Sequence, residues 1–275
     1  MIFVERTHEN GVTYLTAPVI SARHGFTTRR GGVSSGYLES LNLGENRGDA
    51  PEAVAENYRR LAETLDFDLL RMAVTRQVHG NSVRTVTEAD AHTLGTPVPY
   101  EADGIVSCVP GLALVCYTAD CVPVLLYDAA ARVAGAVHCG WRSSVADILG
   151  VAMERMTALG ARPARTCAAI GPAIGYCCFE VGGEVIEQAE RYVGNLEGLV
   201  RKNPERDGKF FLDLRGANAR RLVQLGLLPE HIAVSEECTV CRHEKYWSHR
   251  YTQGRRGAQG AVIVLPEGRE AGARE

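Results

Sequence analysis

No apolar stretch in this 275-residue chain is long enough to cross a bilayer, so a membrane-spanning helix is not expected. No charge of one sign dominates: 30 Lys and Arg face 33 Asp and Glu, a net charge of −3. With no basic stripe and no acidic tail, the chain does not suggest a nucleic-acid or polybasic membrane surface, and a small-molecule ligand fits better. The start, Met1 to His8, has no charged start, sustained apolar core and small-residue cleavage site of a secretory signal. A cytoplasmic location is therefore expected, where the nine cysteines remain mostly thiols and the fold does without disulfides. Arg29-Arg30-Gly31-Gly32 offers glycines for close approach of an anion, but no Gly-Lys-Ser/Thr follows at Walker spacing and no Rossmann fingerprint occurs. P-loop and nicotinamide chemistry are not expected. No repeat or linker divides the chain, which predicts one mixed α/β domain over residues 1–266.

What is present is ample material for a core, 45% of residues being hydrophobic. Short β-branched runs at Ala73–Thr75, Val83–Val86, Gly104–Ser107, Leu112–Tyr117, Val122–Tyr127, Val133–Val137 and Ala261–Leu265 read as strands. Pro51–Leu65 reads as a helix with Val54, Tyr58, Leu61 and Leu65 on one side. A second helix is predicted after His138, capped by Ser144, with Val145, Ile148, Leu149, Ala152, Met156 and Leu159 on its apolar face and Gly160 and Pro163 at its end. A third follows Asp213. Residues 267–275, rich in Gly, Glu and Arg, are expected to be a disordered tail.

Three motifs bring a soft or borderline ligand to the end of an apolar run: Gln77-Val78-His79-Gly80, Thr118-Ala119-Asp120-Cys121 and Ala136-Val137-His138-Cys139-Gly140-Trp141-Arg142. Two imidazoles and one thiolate make a three-ligand zinc site that leaves a fourth position for water or substrate. Each residue has a plainer reading: His79 as a turn or core hydrogen-bond partner, Cys121 as a small buried hydrophobe, His138 as a core histidine. A Cys121–His138 nucleophile and base pair is a further reading, but it has no use for His79. Cys139 should point to the opposite face of its strand from His138. Cys238-x-x-Cys241 has no second Cys-x-x-Cys, and the adjacent Cys177 and Cys178 are poorly spaced for one metal, so both groups read as structural or incidental.

These motifs, taken in order with His24-Gly25-Phe26-Thr27-Thr28-Arg29-Arg30-Gly31-Gly32-Val33-Ser34, Ser40-Leu41-Asn42-Leu43-Gly44, Ile170-Gly171-Pro172-Ala173-Ile174-Gly175, Phe179-Glu180-Val181-Gly182, Cys238-Thr239 and Trp247-Ser248-His249-Arg250, resemble the polyphenol oxidase or laccase-domain family, also described as YfiH-like purine nucleoside phosphorylases. The resemblance implies an α/β sandwich with mixed sheets, similar to the cytotoxic necrotizing factor fold. It implies zinc at His79, Cys121 and His138, with Asp103 and Asp120 as partners that orient the ligands. It further implies phosphorolysis of adenosine, guanosine or inosine and S-methyl-5'-thioadenosine, with adenosine deamination at the same site. Alternatives are copper-dependent phenol oxidation, for which a His2Cys site can load copper, and editing hydrolysis of a peptidoglycan precursor. A non-catalytic protein with a structural zinc is the remaining class.

The implied partners are purine nucleosides and phosphate; no nucleic acid, membrane or obligate protein partner is evident. Arg29, Arg142 and Arg250 stand in matching motifs and suit phosphate through planar donor forks, or serve in surface ion pairs. Asn42 is a candidate for sugar or base contact and equally for a turn; Glu180 for proton transfer and equally for helix capping. Tyr176, Phe179, Tyr246 and Trp247 can stack on a base or fill the core. The family's Gly-Arg pair before the last strand is shifted here to Arg255-Arg256-Gly257, which leaves the roles of Arg255 and Arg256 open.

Overall fold

The structure is a computed structural model that describes residues 3–267. The chain opens with strands β1 (Val4–Thr7), β2 (Thr13–Thr16) and β3 (Arg23–Thr27) and helix α1 (Pro51–Leu65). A strand-rich middle follows, with β4 (Met72–Val74), β5 (Val83–Thr85), β6 (Gly104–Ser107), β7 (Ala113–Thr118), β8 (Val122–Asp128) and β9 (Val133–Cys139). Next come α2 (Trp141–Val145), α3 (Ile148–Ala158), β10 (Cys167–Ile170), β11 (Glu180–Gly182), α4 (Gly183–Val193), β12 (Val200–Lys202), β13 (Lys209–Leu212) and α5 (Leu214–Gln224). The last elements are β14 (Ile232–Val234), α6 (His249–Thr252) and β15 (Gln259–Val264).

The strands form two six-stranded sheets, ordered β1-β2-β3-β15-β7-β4 and β14-β10-β8-β9-β6-β5, and a three-stranded sheet β11-β13-β12. Both large sheets are antiparallel in their middles and parallel only at edge pairs: β4 with β7, β14 with β10, and β5 with β6. They pack face to face, because successive strand residues point to opposite sides and both sides are apolar. On β7, Leu114 and Cys116 enter the shared core with Leu125 and Tyr127 of β8. Ala113 and Val115 face away, onto Val54, Tyr58, Leu61 and Leu65 of α1. On the second sheet, Val122, Val124 and Leu126 face outward onto α3, α4 and α5. The result is a mixed α/β sandwich in four layers, helix, sheet, sheet, helices.

Helix α1 spans the residues its pattern predicts, with Pro51 in its first turn and Asp66 in the left-handed region (φ 49°) after its last. The segment after His138 differs from expectation. It is two helices, α2 and α3, divided at Asp147, whose φ is 62° and whose carboxylate accepts the Gly150 N–H. Ser144 is therefore no cap; it is buried within α2, and Gly140 occupies that helix's N-terminal boundary. Asp147 also takes both Nε and Nη2 of Arg221, at 2.8 and 2.5 Å, tying α5 to the break. Beyond Glu267 the expected disordered tail lies outside the described residues. Among the described residues, no helix is long and apolar enough to cross a membrane.

Candidate metal centre

The centre lies where β9, the β7–β8 turn and the loop after β4 meet. In β9, Val133, Val137 and Cys139 face the helices, and Ala134 and Ala136 face the other sheet. Alternation gives His138 the side of Ala134 and Ala136 and sends Cys139 the other way, into the helix-side core. Asp103, immediately before β6, sits across from this strand end, and its carbonyl accepts the His138 N–H at 2.7 Å.

The fully buried carboxylate of Asp103 organises two of the three candidate ligands. Its Oδ1 meets His138 Nδ1 at 2.8 Å and accepts the His79 N–H at 2.9 Å. Its Oδ2 accepts the Val78 and Gly80 N–H groups at 3.0 and 2.9 Å. One carboxylate thus winds the Gln77–Gly80 loop around itself and holds His138 by Nδ1, leaving Nε2 as a ligand atom. Burial alone would raise the Asp103 pKa, but the hydrogen bond from His138, then those from Val78 and Gly80, hold it below the usual carboxylate value.

Asp120, the residue before Cys121, is fixed by donors of its own. Its carboxylate accepts from Thr239 Oγ1 (2.5 Å), Ser248 Oγ (3.1 Å) and the Arg250 N–H (2.6 Å). His79 and Asp120 both adopt positive φ, 61° and 84°, a conformation that costs a non-glycine residue free energy and that these hydrogen bonds hold in place.

The ligand atoms of His79, Cys121 and His138 all lie within 4.8 Å of one another. Cys121 Sγ is 3.8 Å from His79 Nε2, and the imidazole rings stand edge to face at 4.9 Å between centroids. A side chain on Gly140 would enter this cluster: a Cβ there would meet His79 Cδ2 at 3.0, Cys121 Sγ at 3.4 and His138 Cε1 at 3.5 Å. Burial pushes the Cys121 thiol up, but the charge and hydrogen bond of His138, then those of His79, overcome it and bring it down to about 6. His138, opposed by burial but favoured by Cys121 and Asp103, is raised to about 9. Both shifts favour the thiolate form of Cys121, the form that binds a metal. Two imidazoles, one thiolate and a glycine where a Cβ would press on the His79 ring fit a borderline-soft divalent metal such as zinc.

Residues 23–266 match the sequence profile of the family described as multi-copper polyphenol oxidoreductase laccase. The chain belongs to this family. It is 41% identical over 256 residues to a Deinococcus radiodurans protein named purine nucleoside phosphorylase, covering 93% of this chain and 94% of that one. It is 35% identical over 230 residues to adenosine deaminase RL5 from an unknown prokaryotic organism, covering 82% of this chain and 87% of that one. The crystal structure of YlmD from Geobacillus stearothermophilus superposes with a TM-score of 0.89 at 34% identity, covering 96% of this chain and all of that one.

For this family member the other expected site residues fall in different settings. Asn42 is fully buried and spent within the fold: its Nδ2 donates to Gly44 O and Asp49 Oδ2, and its Oδ1 accepts from Gly44 and Ala258 N–H. That leaves no amide group for a sugar, and the residue anchors loops instead. Arg29 lies over the Trp247 ring at 3.9 Å, with Trp247 itself buried in the core. Arg142 is exposed and stacks on Trp141 at 4.4 Å. Glu180 accepts from Asn203 at 2.5 Å and pairs with Arg206. Arg250 donates from Nη1 to Cys178 O and from Nη2 to Glu180 O, at 3.2 and 3.3 Å.

Arg256, whose role the shifted motif leaves open, is the residue that sequence reading undervalued. Its guanidinium is sequestered, and burial and Arg47 together lower its pKa to about 10 against the opposing charges of Cys121 and Asp120. Its buried Nε has no hydrogen-bond partner among the described residues. A half-buried cation with a free buried Nε, within electrostatic reach of Cys121, suits an anionic ligand. A cleft of about 950 Å³ is walled by Arg47, Gln77, Tyr117 and Ala258 with parts of the 43–55 and 92–98 segments, and its lining does not include His79, Cys121, His138 or Arg256.

Cys177 and Cys178, and Cys238 and Cys241, which read in sequence as two separate structural or incidental groups, come together: their four sulfurs lie within 4.8 Å of one another.

Proposed function

We propose that this chain is a zinc-dependent purine nucleoside phosphorylase that also deaminates adenosine at the same site, acting on adenosine, guanosine or inosine and S-methyl-5'-thioadenosine. The observation that carries the reading is the convergence of His79, Cys121 and His138 around Gly140. The names of the relatives, purine nucleoside phosphorylase and adenosine deaminase, support the same two reactions. Zinc would be held by His79, Cys121 and His138, and when bound it supplies a Lewis acid and activates water near neutral pH.

The chain's own groups do the rest. Asp103 keeps a proton on His138 Nδ1 and so fixes which ring nitrogen faces the ligand cluster. In phosphorolysis a phosphate oxygen bonds to C1' of the ribose while the bond from C1' to purine N9 breaks, its electron pair leaving with the base. Arg256, in the electrostatic field of Arg47, is the half-buried positive charge that would neutralise that oxyanion; Arg142 and Arg250 are the outer candidates. In deamination water adds at the purine carbon that bears the amine and ammonia departs.

The family description speaks of several coppers, but among the described residues only one ligand group contains histidine, too few donors for a multi-copper centre. The deciding test is chromatography of the products from adenosine, with and without phosphate, on metal-quantified protein. Adenine only with phosphate, and inosine with or without it, is the expected result. No purine product from zinc-loaded protein would reject the reading in favour of another hydrolysis, such as precursor editing.

A further inference from the structure

The motif that neither reaction uses is the cysteine group on the far side of Asp120. We propose that Cys177, Cys178, Cys238 and Cys241 form a second metal site, a tetrathiolate that binds structural zinc. The sulfur of Cys241 lies 3.5 Å from that of Cys177 and 3.4 Å from that of Cys178, and all four sulfurs fall within 4.8 Å. Zinc–sulfur bonds of about 2.3 Å in a tetrahedron place sulfurs about 3.8 Å apart, so the four thiols already stand near the separation the metal needs.

Two chain segments make the cluster. The first turns at Gly175, whose carbonyl accepts the N–H groups of Cys178 and Phe179 at 2.9 Å, and this turn aims both neighbouring cysteines at Cys241. The second is Cys238-Thr239-Val240-Cys241, bridged to the first by the pairing of Ala173 with Cys238. The Gly175 N–H donates to Cys238 Sγ at 3.1 Å. Backbone donors aimed at sulfur are the outer partners that metal-bound thiolates carry.

The metal's role would be to brace the first site. Both segments of the cluster hold Asp120, the residue before Cys121. Ile174 N–H donates to the Asp120 carbonyl at 2.8 Å, and Thr239, inside the Cys-x-x-Cys loop, donates to its carboxylate. Arg250 in turn rests on the Cys178 carbonyl. A tetrathiolate zinc would therefore staple the segments that orient Cys121, far more cheaply than extra core could so near the surface.

The test needs no substitution at first. Cys108, Cys177 and Cys241 are all exposed thiols. Brief alkylation of zinc-loaded wild type, read by peptide mass, should label Cys108 and spare Cys177 and Cys241, and chelation should open both to label. Labelling of Cys177 and Cys241 in the zinc-replete protein, or a Cys241 disulfide in protein purified without oxidant, would overturn the proposal. A second arm uses Cys121→Ala, in which the His79–Cys121–His138 group loses its thiolate. This variant should retain about one zinc per chain with an all-sulfur X-ray absorption signature, and Cys121→Ala combined with Cys178→Ser and Cys241→Ser should retain none. A folded Cys121→Ala protein that holds no zinc would refute the tetrathiolate without bearing on the nucleoside chemistry.

Discussion

Asp103→Asn is the substitution that most sharply separates the energetic roles of this centre. The carboxylate accepts four hydrogen bonds in a fully buried position, two on each oxygen. An asparagine of the same shape keeps one acceptor oxygen and replaces the other with an NH2 donor. In either orientation two donors then face a donor: Val78 and Gly80 N–H, or His79 N–H and His138 Nδ1. Hydrogen bonds to a charged group contribute about 1.5–3 kcal/mol each, so the loss is about 3–6 kcal/mol, against a total stability of about 5–15 kcal/mol. Denaturant unfolding of metal-free protein near neutral pH reads this directly. Metal affinity should fall about 10–100-fold through loss of ligand orientation. The pH dependence has a definite sign. The folded Asp103 pKa lies below the unfolded value of about 3.9, so its stabilisation is complete above that value and is lost as pH falls through the folded one. The stability gap between wild type and variant should thus close in acid, and it should also narrow as pH rises from about 6.5 through about 9, where His138 loses the proton that Asp103 helps to hold. A gap under about 0.5 kcal/mol, with unchanged metal affinity, would refute the assignment of Asp103 as organiser of the loop and ring.

Two further substitutions test contact and charge separately. Gly140 has an ordinary negative φ of −62°, so Gly140→Ala adds no backbone strain and acts only through its Cβ against His79, Cys121 and His138; metal affinity should fall about 10-fold or more with little loss of fold stability, and unchanged affinity in a chelator competition would contradict the geometry. Arg256→Met should raise the KM for phosphate about 10-fold or more, equivalent to about 1.4 kcal/mol, while zinc content and the phosphate-independent deamination persist; an unchanged phosphate KM would move the oxyanion role to Arg142 or Arg250.

The sequence was most readable where one physical rule dominated. The run before His138 is apolar on both faces because β9 is covered by a sheet on one side and helices on the other, so its strand and its terminal imidazole stood out. Helix α1 was legible from its period and Pro51. The break between α2 and α3 was not, because Asp147 in a left-handed conformation leaves no mark in an apolar pattern that continues across it. Strand β1 is exposed throughout and carries no alternation, so it too escaped pattern reading. The turn at Gly175 that folds Cys177 and Cys178 onto Cys241, across more than sixty residues of sequence, is a tertiary fact that spacing rules cannot supply. Asn42 was ambiguous between ligand and turn, and four internal hydrogen bonds decide for the loop.

Whether a metal held by His79, Cys121 and His138 runs the chemistry is tested by zinc content and adenosine turnover measured together on wild type and Cys121→Ala, each with and without phosphate. Adenine and inosine formation should disappear together in the variant, along with one zinc per chain, while the fold remains intact. Product formation by folded Cys121→Ala at the wild-type rate, or by metal-free wild type, would contradict it.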